Sequence, residues 1–523
     1  MSASTDRKKR QEAIANGTDK KLLAQLEEEK KKKKENRKWT IGGILVALLI
    51  TLILLANSNF LYTKATAVKV GDTKYSAAQT DFYYKAQYLN FMNQYGSYAS
   101  MFGLDTSSSL KDQECTMLED GGTWYDYFME QAEEYMKQVT AYAEYAEENG
   151  LELDEDDIKL IDDQMTSFET EATSEGFSSV DKYLESVYGK GCKSKVIRQE
   201  LERTALASKA IQSVQDSLEY TTEDLAAYYE EHKDEYDNFN YAYYLVAAEQ
   251  EPTGDTEDMT SEEELEAQVE TAVTEETMEI AKNQADQIAA ATNSVDGLTA
   301  AVRNVLGDTT LEAVSQSDVQ GSNLPSDYGD WLKDASRQAG DTTVVESEDT
   351  GYYVVVYGSR DNNNYRLASV RHILIQAQAD ENGEYTDEAM AAAKASIEKI
   401  YQEWQSGEKT EDSFAALAQQ YSEDSGSAST GGLYDSVYKG EMVEEFDAWC
   451  FDPSRQTGDT GIVKGESSGY AGYHLIYYVG QGDLYSNYLA EQALVEENLQ
   501  KWQDEQTDGF DVKERFCAKF VQA

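Results

Sequence analysis

The feature that most constrains this chain is an internal repeat with a period of about 120 residues. The segment Trp331-Leu332-Lys333-Asp334-Ala335-Ser336-Arg337-Gln338-Ala339-Gly340-Asp341-Thr342 returns as Trp449-Cys450-Phe451-Asp452-Pro453-Ser454-Arg455-Gln456-Thr457-Gly458-Asp459-Thr460. An apolar run follows each copy, Gly351-Tyr352-Tyr353-Val354-Val355 and Gly472-Tyr473-His474-Leu475-Ile476. Another precedes each, Tyr241-Ala242-Tyr243-Tyr244-Leu245-Val246 and Val370-Arg371-His372-Ile373-Leu374-Ile375. Short apolar runs bounded by turn residues read as buried strands. The pattern predicts two copies of one small α+β domain, each running strand, helix or helices, loop, strand, strand.

The repeat occupies less than half of the 523 residues, so further domains are expected. The net charge of −54 is unevenly placed: residues 1–38 are basic, with Arg7-Lys8-Lys9-Arg10 and the run from Lys30 to Lys34, and the rest is acidic. An acidic body repels phosphates, which argues against DNA or RNA as a partner. Its simplest use is solubility. Residues 39–63 contain no charged side chain. An apolar stretch of this length can cross a hydrocarbon core of about 30 Å, which needs roughly 20 residues. Trp39 and Tyr62 fall where interfacial aromatics belong. A cleaved leader is the competing reading, but Ala56-Asn57-Ser58 makes a poor cleavage site. The expectation is a transmembrane helix over 39–62, behind a basic cytoplasmic tail over 1–38. The preceding lysines and arginines place the main body outside the cytoplasm.

Residues 67–75 read as a hairpin, and helical patterns dominate from there to about residue 235. Ser76 with Gln79 forms a capping box, Thr123 caps a helix carrying Phe128, Ala132, Met136 and Val139, and Gly150 ends it. Ile158, Ile161, Met165, Phe168 and Ala172 form a further stripe. Such stripes pack helix on helix, or else line a cradle for unfolded polypeptide; amphipathicity serves both. The four cysteines, Cys115, Cys192, Cys450 and Cys517, have no metal-like spacing. An exported location permits a Cys115–Cys192 disulfide, with free buried thiols as the alternative.

Chemistry concentrates in the second copy. Two of the three histidines, His372 and His474, sit in its first and last strands, and the first copy has Tyr243 and Tyr353 there. Joint replacement suggests that the histidines work as a unit. Between them lie helical patterns over 387–404 and around Phe414 and Leu417. Then comes the loop Tyr421-Ser422-Glu423-Asp424-Ser425-Gly426-Ser427-Ala428-Ser429-Thr430-Gly431-Gly432-Leu433. No Gly-Lys-Ser/Thr follows, so phosphate binding is disfavoured. The first copy lacks this loop and carries an acidic insertion over about 253–276 instead. A nucleophile elbow and a His/Cys metal cluster are both missing from the sequence.

The order Val-Arg-His-Ile-Leu-Ile, Phe414-x-x-Leu417-Ala418, Tyr-Ser-Glu-Asp with Gly-Gly-Leu, Gly440-Glu441-Met442-Val443-x-x-Phe446, and Gly-Tyr-His-Leu-Ile resembles a parvulin-type peptidyl-prolyl cis/trans isomerase over residues 366–482. The exported architecture is similar to the PrsA/SurA class of extracytoplasmic foldases. That resemblance implies a mostly α-helical SurA-N-like chaperone domain over 63–235 and a degenerate, non-catalytic parvulin-like domain over 236–363. It implies an isomerase domain over 366–482 and a C-terminal helical segment over 483–523 packing back on the helical domain. It assigns His372, Asp424 and His474 as catalytic, Leu433, Met442, Phe446 and Phe451 as the proline pocket, and neither metal nor cofactor. Asp308 is the expected counterpart of Asp424 in the first copy. The serine or threonine usual before the second histidine is missing from Ser467-Ser468-Gly469-Tyr470-Ala471, and the aromatic after Gly-x-Leu is displaced to Tyr434 or Tyr438. The implied partners are proline-containing exported polypeptides. The alternative is a holdase or scaffold that binds such chains without turnover.

Overall fold

A computed structural model describes residues 3–17, scattered positions between 24 and 49, and residues 59–252, 271–380, 383–467 and 469–522. The expected membrane helix and the acidic insertion therefore lie largely outside the described residues. Among the described residues no helix is long and apolar enough to cross a membrane. The chain divides into two units, residues 1–218 with 497–523, and residues 219–496.

The first unit opens with the expected hairpin, β1 (Thr66–Val70) and β2 (Thr73–Ser76), turning at Gly71. Five helices follow: α1 (Ala77–Tyr95), α2 (Trp124–Glu148), α3 (Glu155–Ser174), α4 (Val180–Val187) and α5 (Ser194–Ser217). Ser76 and Gln79 form the capping box at α1, and Thr123 with Asp126 forms another at α2. Each satisfies helix-start N–H groups that would otherwise lack partners. The core is aromatic, with Trp124, Phe128, Tyr75, Tyr83 and Tyr84 at or near complete burial. Cys115, Cys192, Cys450 and Cys517 are all free and buried. The expected Cys115–Cys192 bridge is thus not formed: Cys192 instead donates its S–H to the Ala78 carbonyl at 3.1 Å.

The end of the chain returns to this unit. Strand β11 (Val512–Glu514) pairs antiparallel with β1, Val70 opposite Val512. Trp502 stacks on Tyr142 with ring centroids 5.1 Å apart, and Cys517, Ala518 and Val521 join the same core.

The second unit begins at α6 (Thr222–Tyr236), which groups here rather than with the helical unit it follows in sequence. Leu225 and Tyr229 on α6 bury against Ala490 of α13 (Tyr485–Thr507), explaining the grouping. Between these helices lie the two copies. The first contains β3 (Asn238–Ala247), α7 (Glu275–Ala291), α8 (Leu298–Leu306), β4 (Val314–Gln320), α9 (Gly329–Lys333), β5 (Thr342–Ser347) and β6 (Gly351–Asp361). The second contains β7 (Arg366–Gln376), α10 (Asp387–Ser406), α11 (Glu411–Tyr421), β8 (Leu433–Val437), α12 (Glu444–Cys450), β9 (Thr460–Glu466) and β10 (Ala471–Leu484).

Both sheets are antiparallel, four-stranded and identically ordered, β4-β3-β6-β5 and β8-β7-β10-β9. The repeated Trp…Arg…Gly segment is a clasp in each. Arg337 donates to the Trp331 carbonyl with its guanidinium 4.6 Å from the indole centroid, and Arg455 does the same with Trp449 at 4.0 Å. Gly340 and Gly458 then donate their N–H groups to Tyr357 and Tyr478 on the last strands. The longest stretch of self-similarity is therefore scaffold. In the second copy one sheet face packs on α10 and α11 through Ile373, Leu475, Tyr477, Phe414 and Trp404. The other packs on α12 through Val370, Ile476, Tyr478, Phe446 and Cys450.

Candidate active site

Side chains alternate across a strand, so β7 sends Val370, His372 and Leu374 to the α12 face and Arg371, Ile373 and Ile375 to the other. On β10, His474 and Ile476 share the α12 face, because Ile476 pairs with His372 and His474 with Leu374. The two imidazoles are diagonal neighbours on central strands, with ring centroids 5.4 Å apart and planes inclined by 21°. Each is only 5% exposed.

The loop reaches them through backbone chemistry. Beyond Arg371 the outer edge of β7 is free of β8, and the Tyr-Ser-Glu-Asp segment completes it. Ser422 Oγ accepts from the Leu374 N–H, the Glu423 N–H donates to the Leu374 carbonyl, and Glu423 Oε2 accepts from the Gln376 N–H. Arg371, on the far face, donates to Glu411 at 2.9 Å and to the carbonyls of Thr430 and Gly431 at 3.0 Å. Gly432 has φ +71°, and a Cβ there would overlap the His372 carbonyl, so this close approach requires glycine. Gly465 does the same service on β9, leaving room for the His474 ring.

These tethers deliver Asp424 to His372, Oδ2 to Nε2 at 2.8 Å. The His372 N–H holds the Asp424 carboxyl well below the usual carboxylate range, helped by Ser427, against the opposing effect of burial. His372 Nδ1 meets His474 Nδ1 at 3.2 Å, and His474 Nε2 meets the Tyr470 hydroxyl at 2.9 Å. Burial, reinforced by His372, pushes His474 down to about 3, so it is neutral at ordinary pH. An ionised Asp424 can only accept, which places a proton on His372 Nε2. His372 Nε2–H donates to Asp424 and, with both rings neutral, His474 Nδ1–H donates to His372 Nδ1 and Tyr470 O–H to His474 Nε2. Ser427 and Tyr434 hydroxyls also donate to Asp424 Oδ2, the latter at 3.1 Å. All the donors point toward one carboxylate.

Phe446 stands edge-on to both imidazoles, with centroids 5.6 Å from His372 and 5.3 Å from His474. Met442 packs on the cluster that contains Phe446. Phe451 packs on that cluster too, whereas Leu433 is placed differently from the sequence expectation. Leu433 pairs with Arg371, so the register directs it away from the imidazoles, and the next residue, Tyr434, takes the histidine face with its ring 5.2 Å from His372. Phe451 lies edge-on to Tyr365 at 5.8 Å. Sequence reasoning missed Ser427 and Tyr470. Tyr470 was visible four residues before His474, where the customary serine or threonine is lacking. Its longer side chain supplies the missing hydroxyl.

The arrangement offers a partly buried carboxylate with fixed donors behind it and an aromatic–thioether wall beside it. It suits electrostatic work on a bound group.

Comparison with known proteins agrees with this geometry. Residues 372–479 match the Rotamase family model, described as a PPIC-type PPIASE domain. Chaperone SurA of Hahella chejuensis is 37% identical over 150 residues, 27% of this chain and 31% of that protein. Foldase protein PrsA 1 of Listeria innocua is 35% identical over 127 residues, 24% of this chain and 35% of that protein. The matches thus span about a third of the length of these relatives. The crystal structure of the peptidylprolyl isomerase PrsA from Bacillus anthracis is 23% identical, covering 28% of this chain and 58% of that one with a TM-score of 0.18, an overlay too loose to carry weight. The chain carries a parvulin-type peptidyl-prolyl isomerase domain and is SurA/PrsA-like.

Proposed function

We propose that this chain is a membrane-anchored extracytoplasmic foldase that isomerises Xaa-Pro bonds in exported polypeptides and chaperones their folding. The observation that carries the reading is the directed hydrogen-bond chain from Tyr470 through His474 and His372 to Asp424, beside Phe446 and Met442.

Rotation about an Xaa-Pro bond must break amide resonance, against a barrier of about 18–20 kcal/mol. No bond to the enzyme is needed. Each tenfold acceleration takes roughly 1.4 kcal/mol, so a hundred-thousandfold rate gain takes about 7 kcal/mol. Phe446 and Met442 hold the proline ring. The amide loses its charge separation as it twists, and its carbonyl carbon becomes more electrophilic. A fixed carboxylate beside the carbonyl favours that twisted state over the planar one. His372 keeps Asp424 oriented, and the neutral His474 behind it adds no charge to cancel the carboxylate's. Ser427 and Tyr434 hold the same oxygen, leaving Asp424 little freedom to turn away.

The SurA and PrsA relatives support a chaperone role, in which the helical unit shields unfolded clients. The uncharged run over 39–63 behind a basic tail supports a single-pass anchor with the body outside the cytoplasm. Two measurements test the proposal. NMR exchange spectroscopy of a short Xaa-Pro peptide with the intact chain should show accelerated cis/trans exchange, and no acceleration at stoichiometric enzyme refutes the isomerase. Protease accessibility in intact cells should place residues beyond 63 outside the membrane; full protection of that region refutes the topology.

A further inference from the structure

The second unit also holds a cleft of about 780 Å³ that the isomerase chemistry does not use. Its walls come from the end of α6, strand β4, the linker at 361–365 between the two copies, the turn before α12 and the start of α13. We propose that this cleft is a second polypeptide subsite, which takes a cationic, Lys- or Arg-bearing extended segment flanking the client's proline. The proposal rests on the foldase reading, because it assigns a substrate class to the same domain.

The volume suits a few residues of extended chain, within the roughly 300–1,000 Å³ usual for ligand pockets. Charge selects the class. Asp318, Asp361 and Asp447 line the cleft against one cation, Lys439, and none of these carboxylates forms an ion pair among the described residues. Burial pushes the Asp447 carboxyl up from its ordinary range, so a cation beside it would relieve a desolvated charge.

The rings point the same way. Tyr365 and Tyr485 line the cleft with centroids 5.1 Å apart, and Tyr438 stacks on Tyr485 at 5.2 Å. Lys439 already lays its ammonium 4.3 Å from the Tyr365 centroid. Ring faces in this cleft therefore accept a cation within the chain itself. An evenly acidic surface would attract cations anywhere; here carboxylates and ring faces share one walled space.

The cleft adjoins the isomerase site. On α12, Phe446 faces the imidazoles and its neighbour Asp447 lines the cleft. Lys439 and Gly440 lead within two residues to Met442. Tyr365 in turn touches Phe451, which packs on the cluster that holds Phe446. A client gripped by its proline at Phe446 passes its flanking residues over this turn into the cleft.

The test uses the intact chain and the double variant Asp318→Asn with Asp361→Asn. Asparagine tolerates the left-handed backbone of position 318 (φ +53°) and keeps an acceptor for the Asn363 N–H at position 361. Three fluorescent probes are measured at low and high salt: an Ala-Pro peptide flanked by lysines, the same peptide flanked by glutamates, and a proline-free lysine peptide. The wild-type chain should bind the lysine-flanked peptide on the order of tenfold more tightly than the glutamate one at low salt. The double variant should lose most of that preference while turning over an unflanked Ala-Pro peptide at the wild-type rate. Equal wild-type affinities, or an undiminished preference in the variant, would overturn the subsite. The proline-free probe separates the two claims: its selective binding, together with no turnover of any Ala-Pro peptide, would sustain the subsite and defeat the isomerase.

Discussion

In the second copy His372 and His474 share a sheet face with Phe446, and a loop brings a carboxylate to them. In the first copy the same strand positions carry Tyr243 and Tyr353, and the counterpart of Phe446 is Tyr328. Those three tyrosines close on one another with centroids 5.3 to 6.0 Å apart, and Tyr328 is buried. The short connection from α8 to β4 replaces the long loop. Asp308, the expected partner of Asp424, is fully exposed there and accepts from Thr310, its own turn. Meanwhile the Trp–Arg clasp, strand order and strand pairing are the same in both. A framework that is kept while its site is filled with rings separates two roles. The clasp builds the domain, and the His/His/Asp chain does something the domain does not need in order to fold.

The largest break in that comparison should come from Phe446→Ala. Emptying a fully buried aromatic position costs about 3–5 kcal/mol, and the proline loses its wall. Chemical denaturation should show the loss, and kcat/KM for an Ala-Pro peptide should fall at least a hundredfold. Acid should separate the copies next. His474 stays neutral in the fold down to about 3, whereas an unfolded histidine takes up a proton near 6.5. Stability is therefore fully present above about 6.5 and is lost as pH falls toward 3, by up to roughly 1.4 kcal/mol per pH unit. Asp424, with its lowered value, adds a loss only below the ordinary Asp range. The first copy has tyrosines at these positions and lacks the 6.5-to-3 component, so hydrogen exchange should show the second sheet opening first on acidification. A smaller effect is expected from Tyr470→Phe, which removes one hydrogen bond of about 1 kcal/mol. The rate should drop about threefold to tenfold with little change in KM, and the His474 ring resonances should shift. Finally, Tyr243→His with Tyr353→His should add no isomerase activity to that left by Asp424→Ala, because no carboxylate loop reaches the first copy.

Much of this was readable from residues. Self-similarity predicted two α+β copies, and period-two patterns placed both histidines on strands. The capping signatures at Ser76 and Thr123 located helix starts because those side chains bond to their own backbone. The details that escaped depend on register and on side chains from distant loops. A shift of one residue in β8 sends a side chain to the opposite face, which is why Tyr434 and not Leu433 faces His372. Tyr470 replaces a shorter hydroxyl by reaching farther, and length complementarity of that kind needs coordinates. Phe451 also meets Tyr365 of the linker between copies, a contact between segments far apart in sequence. Cys115 and Cys192 share one core without being paired, and proximity in sequence space said nothing of their Sγ geometry.

The central claim is that the carboxylate at the end of the hydrogen-bond chain does the electrostatic work. It is tested by the exchange rate of an Ala-Pro peptide with the intact wild-type chain and with Asp424→Ala, each at matched folded fraction by circular dichroism. The account predicts a fall of roughly a hundredfold, the scale for losing one preorganised electrostatic group. A variant that is folded and retains the wild-type rate would contradict it.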